Sequence, residues 1–138
     1  MADTLTIELL STRDAMASAS AEAEAWLESH HPSPQALNFL LIAVEELVLN
    51  CIDYGYDDDA VHTITIVLSI EDQRLTLTVI DDGHPFDPLA RPSPDLSRPV
   101  KDRPAGGLGI YLLQKLSDQI SYERRDGTNR LTLTKGLQ

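Results

Sequence analysis

The chain opens on Thr4-Leu5-Thr6-Ile7-Glu8-Leu9, an alternation of polar and apolar positions that predicts a strand with one face buried. Ser11-Thr12-Arg13-Asp14 then reads as a capping signal, and the alanine-rich stretch after it predicts a helix to about Ser29. Pro32 and Pro34 break that helix. Ser33-Pro34 is an N-cap followed by proline in the first turn, opening a second helix. Leu37, Leu40, Leu41, Val44, Leu47, Val48 and Cys51 or Ile52 recur along it at helical spacing, and it should end near Gly55. Two runs rich in β-branched residues follow, His62 to Ile70 and Arg74 to Ile80. The short polar turn Glu71-Asp72-Gln73 makes them a hairpin.

The pattern dissolves between Gly83 and Ala105, which hold six of the eight prolines and four of the eleven basic residues. A loop of that length in a small domain is expected to be a lid over a site or a disordered segment. Gly106-Gly107-Leu108-Gly109 leads into a helix from Ile110 to about Leu116. Gln119 to Arg125 and Asn129 to Lys135 then flank Asp126-Gly127-Thr128 as a terminal hairpin. The order strand, helix, helix, hairpin, lid, helix, hairpin predicts an α/β (α+β) two-layer sandwich: one mixed, mostly antiparallel sheet with its helices on one face. With 138 residues the expectation is a single domain, 1–138, with its lid at about 83–105.

Charge changes the picture. The net charge is −11, and residues 1–73 carry fourteen acids against the single base Arg13, whereas residues 74–138 carry ten bases and eight acids. So acidic a front half repels a nucleic-acid backbone, whose recognition rests largely on neutralising phosphates, so no direct nucleic-acid partner is expected. No uninterrupted apolar run exceeds the six residues Phe39 to Val44, and the first residues lack the basic-then-apolar pattern of a secretion signal. Cys51 is the sole cysteine and cannot form an internal disulfide. These features point to a cytoplasmic protein without a membrane partner.

Three weak signals could carry chemistry. Glu46 and Asn50 stand one helical turn apart on the same face of a strongly apolar helix; an amide oxygen can ligate a hard cation, and a nearby carboxylate can accept a proton. A solvated stripe is the competing reading. Val79-Ile80-Asp81-Asp82-Gly83 ends an apolar strand in an acid followed by a glycine, which suits hydrogen bonding to the amine of a flat ligand; a plain polar turn competes. Gly106-Gly107-Leu108-Gly109 exposes successive amides before a helix N-terminus, where anions are favoured, although a hinge would look the same. Neither a P-loop nor a dinucleotide-binding glycine fingerprint is present, and His30, His31, His62 and His84 are too scattered to suggest zinc. Cys51 reads as a small packing residue, and Trp26 as core or interface.

Taken in order, Glu-x-x-x-Asn on a helix, a strand ending Asp-x-Gly, a lid and Gly-Gly-Leu-Gly resemble the GHKL ATP-binding (Bergerat-type) fold. Asp81-x-Gly83-x-Pro85-Phe86-Asp87-Pro88, Gly106-Gly107-Leu108-Gly109-Ile110 and a chain with almost nothing outside the domain are most similar to its small bacterial anti-sigma-factor serine kinases. The resemblance covers residues 5–135. It implies Glu46 as general base, Asn50 as Mg²⁺ ligand, Asp81 as the acid recognising the adenine amine, with Gly83 giving it room, and Gly107, Leu108 and Gly109 as phosphate-binding amides. It further implies an ATP- and Mg²⁺-dependent protein serine/threonine kinase that sequesters a sigma factor, phosphorylates an antagonist protein, and can form a homodimer. A sequestering module that binds ATP without transferring phosphate is the alternative. A detached histidine-kinase catalytic domain is disfavoured, since no helical hairpin bearing a substrate histidine is present. Two departures stand out: Tyr54 occupies a position where this branch more often has histidine, and Pro85 replaces the second glycine of the wider superfamily.

Overall fold

The computed structural model describes residues 3–90 and 107–138. Most of the expected lid, together with Gly106, lies outside the described residues. Strand β1 (Asp3–Leu10) is followed by helices α1 (Arg13–Glu28) and α2 (Pro34–Tyr54), then strands β2 (Thr63–Glu71) and β3 (Arg74–Asp81). A 3₁₀ turn at Pro88–Ala90 precedes helix α3 (Gly107–Leu116), and strands β4 (Gln119–Arg125) and β5 (Thr128–Gly136) complete the chain. Both long helices begin as the sequence dictates. Thr12 Oγ1 accepts from the Ala15 amide at 3.2 Å, and Ser33 Oγ accepts from the Ala36 amide at 3.1 Å, with Pro34 in the first turn of α2.

The strands form one five-stranded sheet in the order β1-β2-β3-β5-β4. The expectation of a mixed sheet is corrected: among the described residues every pairing is antiparallel. The physical reason lies in the connection from β3 through α3 to β4, which leaves β4 pointing the same way as β3. Strand β5 inserts between them, so the crossover produces no parallel ladder. Both hairpins turn on two residues with positive φ, Asp72 (54°) and Gln73 (63°), then Asp126 (51°) and Gly127 (77°), the twist that tight hairpins favour.

Register puts Ile7, Leu9, Ile64, Ile66, Leu68, Leu75, Leu77, Val79, Leu131 and Leu133 on one face, all buried beneath the helices. The opposite face is a half-exposed field of threonines, among them Thr65, Thr76, Thr78, Thr132 and Thr134. Helix α2 crosses the buried face with Phe39, Leu40, Ala43, Val44, Leu47 and Val48 turned inward. By length and composition α2 is long and apolar enough to cross a membrane, but half of it is buried in this core. Trp26 packs partly buried against the same core, edge-on to His30.

Helix α3 begins at Gly107, three residues before the Ile110 start that the sequence suggests. Glycine disfavours helix interiors by about 1 kcal/mol, so propensity places these glycines in a loop. A tertiary contact overrides it: a Cβ at Gly109 would collide with the Glu46 carboxylate of α2. The absence of a side chain lets the two helices meet there.

Candidate active site

The site lies where the C-terminal half of α2 passes over the ends of β3 and β5. Leu47, Asn50, Cys51, Gly55, Val79, Asp81, Phe86, Pro88, Tyr122, Asn129 and Leu131 line a cavity that opens to solvent. Its lining, apolar with a few convergent polar groups, has the chemical character of a small-molecule pocket.

Asp81 is buried in this lining, in register opposite Asn129. Its Oδ1 accepts from the Gly83 amide at 2.9 Å and from Asn129 Nδ2 at 3.0 Å. Its Oδ2 accepts from the Cys51 thiol at 3.3 Å. A carboxylate held this way offers only acceptor capacity to a ligand, which selects for a donor such as an exocyclic amine. Burial, and then the charge of Asp81, push the Cys51 thiol well up, so Cys51 is inert as a nucleophile. Cys51 packs as the sequence suggests, with an added role as donor to Asp81.

Gly83 is crowded by the chain itself: a Cβ there would strike the carbonyl oxygen of Gly55, at the end of α2. The His84 amide donates to that same carbonyl at 2.9 Å, tying the outlet of β3 to the helix end. Tyr54 stacks on Phe86 with ring centroids 6.2 Å apart, so the residue that departs from the family pattern packs over the segment leaving β3.

Asn50 is buried, and its Nδ2 has no hydrogen-bond partner among the described residues. A half-turn of the amide exchanges its nitrogen and oxygen ends, so this orphaned terminus is a place where an oxygen could meet a cation. Among the described residues no group of three or more His, Cys, Asp or Glu side chains forms a metal cage. A cation at Asn50 would therefore complete its shell with ligand oxygens, a pattern that suits Mg²⁺ held by nucleotide phosphates. The residues fit such a metal in that limited sense.

Glu46 sits half-buried one turn before Asn50, against Gly109. Burial, and then the neighbouring charge of Glu45, raise its carboxyl above the ordinary value of 4.5. A raised carboxyl is a better proton acceptor once ionised. Gly107, Leu108 and Gly109 fall in the first turn of α3, where the backbone N–H groups have no partners within the helix and can serve an anion. Glu46 and Gly109 thus meet at the α2–α3 contact, while Asn50, one turn further along α2, lines the cavity together with Asp81, and Gly83 stands beside Asp81 against the end of α2.

Sequence reasoning missed Asn129. Its amide donates to Asp81 and to the His84 carbonyl, and accepts from the Phe86 amide and from the Tyr122 hydroxyl. Arg124, its register partner on β4, donates through Nη1 to the Gly83 carbonyl at 2.8 Å. The signal was present: Asn129 continues the inward row of Leu131 and Leu133 as a polar residue.

The histidine kinase-like ATPase domain family matches residues 9–135. The serine/threonine-protein kinase BtrW of Bordetella bronchiseptica is 32% identical over 95 residues, covering 69% of this chain and 67% of that protein. A serine-protein kinase RsbW of Bacillus cereus is 35% identical over 101 residues, covering 70% of this chain and 62% of its own length. The matched stretch therefore spans less than two thirds of the RsbW relative. A crystal structure of the RsbU and RsbW domains of Rv1364c from Mycobacterium tuberculosis superposes with a TM-score of 0.71 at 20% identity, over 98% of this chain and 32% of that one. That last likeness concerns the fold. The chain belongs to the histidine kinase-like ATPase domain family, whose nucleotide is ATP, and its relatives include proteins named as serine/threonine kinases.

Proposed function

We propose that this chain is an ATP-dependent protein serine/threonine kinase and anti-sigma factor, one domain over 1–138, that phosphorylates a small antagonist protein and sequesters a sigma factor in the cytoplasm. The observation that carries the reading is the pairing of an acceptor-only acid, Asp81, in an apolar cavity with a raised carboxyl, Glu46, beside Asn50 and the first turn of α3.

In this reading Asp81 accepts from the adenine amine, and the amides of Gly107, Leu108 and Gly109 hold phosphate oxygens at the α3 N-terminus. Asn50 would hold Mg²⁺, which when bound neutralises charge on the phosphates. Glu46 accepts the proton of the incoming serine hydroxyl as its oxygen attacks the terminal phosphorus and the bond to the ADP oxygen breaks. Its Gly109 contact fixes where that carboxylate stands. Kinase names among the relatives support transfer to a hydroxyl rather than to water.

The test is transfer of label from γ-labelled ATP to purified candidate antagonist proteins encoded near this chain. A labelled serine on one of them is the expected result. Binding of ATP and a sigma factor without any transfer would favour the non-catalytic sequestering module instead.

A further inference from the structure

Asn129 is 5% exposed and commits its whole side chain to four partners. Nδ2 donates to Asp81 Oδ1 at 3.0 Å and to the His84 carbonyl at 2.8 Å; Oδ1 accepts from the Phe86 amide at 3.3 Å and from the Tyr122 hydroxyl. An amide has two N–H donors and one oxygen with two lone pairs, so nothing remains for a ligand. A residue needed only to fill this place in β5 would be apolar, like Leu131 and Leu133 further along the same row. The amide adds a link between the carboxylate ending β3 and the backbone that leaves it, 84–86. Arg124 reinforces the link one strand over through the Gly83 carbonyl.

We infer that Asn129 is a positioning residue that locks the Asp81 carboxylate and the departing segment 83–90 into one unit, so that base recognition and the path of that segment depend on each other. With Oδ1 of Asp81 taken by Asn129 and Gly83, the other oxygen is fixed toward Cys51 and the cavity. Without Asn129 the carboxylate is held only by the Gly83 amide and the weak Cys51 thiol donor, and the Phe86 amide and His84 carbonyl lose their partner. The inference rests on the reading of the cavity as the base site.

The experiment uses the full chain, wild type, Asn129→Ala and Asn129→Asp. Hydrogen exchange without nucleotide should quicken over 83–90 in Asn129→Ala while the β2–β3 hairpin stays protected. Calorimetry with a non-hydrolysable ATP analogue should show binding about 10- to 100-fold weaker, as expected when a buried polar partner is removed. Asn129→Asp sets two carboxylates against each other, a pair that holds one proton with a raised pKa. As pH falls from about 8 to about 5.5, that proton restores the link, so analogue affinity of Asn129→Asp should rise relative to Asn129→Ala.

The groups facing the pair are Cys51 and Tyr56 from the α2 side, His84 with its partner Asp57, Tyr122 and Arg124 from β4. They are common to all three proteins, so the difference between the variants isolates the pair. A residue that merely filled space would give parallel pH profiles. If Asn129→Ala does not fold, Tyr122→Phe removes one donor to the amide, keeps the ring, and carries the exchange arm. Unchanged exchange over 83–90, unchanged affinity, or parallel pH profiles would each overturn the inference. Failure of the wild type to bind the analogue would overturn the base-site reading, while the exchange arm would still decide the link.

Discussion

Replacing Asp81 by asparagine changes one atom at the base of the cavity, and the surrounding hydrogen bonds dictate how the new amide must lie. The Gly83 amide at 2.9 Å and Asn129 Nδ2 at 3.0 Å both point at one oxygen, so that position must remain a carbonyl. The amide nitrogen is forced into the place of Oδ2, facing the Cys51 thiol and the cavity. The thiol can turn and accept weakly, so folding is little disturbed and the melting temperature should move by only a few degrees. A ligand amine, however, now meets a donor. Losing a hydrogen bond to a charged acceptor costs about 1.5–3 kcal/mol, or roughly 10- to 150-fold in affinity. Guanine offers a carbonyl where adenine offers an amine, so Asp81→Asn should also narrow the preference for ATP over GTP. Calorimetry with non-hydrolysable analogues of both nucleotides reads the two effects together. Wild-type affinity for the ATP analogue with an unaltered ATP:GTP ratio would refute the assignment of Asp81.

Gly109→Ala should push the Glu46 carboxylate aside; because alanine favours helix by about 1 kcal/mol over glycine, thermal melting should show little loss of stability while transfer falls by up to about 10²–10⁴-fold in a single-turnover assay. Gly83→Ala drives a Cβ into the backbone carbonyl of Gly55, which cannot swing away, and should cost about 1–3 kcal/mol, read as a drop of several degrees in melting temperature. Glu46 has a raised carboxyl in the folded state, so the folded protein binds its proton more tightly than the unfolded chain does. Its contribution to stability therefore falls as pH rises from about 4.5 through the raised value. Glu46→Gln should accordingly melt at the same or a higher temperature at neutral pH, with the difference vanishing below about pH 4. Cys51 should react with a thiol reagent at pH 7.5 only after unfolding in urea, as followed by absorbance.

The sequence makes the frame of the molecule legible because its cues are local. Thr12 and Ser33 cap helices, Asp72-Gln73 and Asp126-Gly127 turn hairpins, and period-two runs mark β2 and β3. Glu46, Asn50 and Asp81 are visible for a related reason, being polar residues where the surrounding pattern is apolar. What escaped depends on pairing at a distance. Nothing near Gly107 says that Glu46 will need the space beside Gly109, so local propensity alone starts the helix too late. The antiparallel sheet follows from β5 entering between β3 and β4, a choice made between segments far apart in sequence. Asn129 shows the same signal, a polar residue in an apolar row, but its role is set by Asp81, His84 and Phe86, more than forty residues away, so the role is not legible locally.

The central claim, that the chain transfers phosphate with Glu46 as base, is tested most directly by comparing wild type with Glu46→Gln. Both would be assayed for ATP-analogue binding by calorimetry and for transfer of labelled phosphate to the antagonist serine. Glutamine keeps the shape of the side chain and removes the proton acceptor. The account predicts unchanged nucleotide affinity with transfer lowered by about 10²–10⁴-fold. Transfer by Glu46→Gln at the wild-type rate would contradict it.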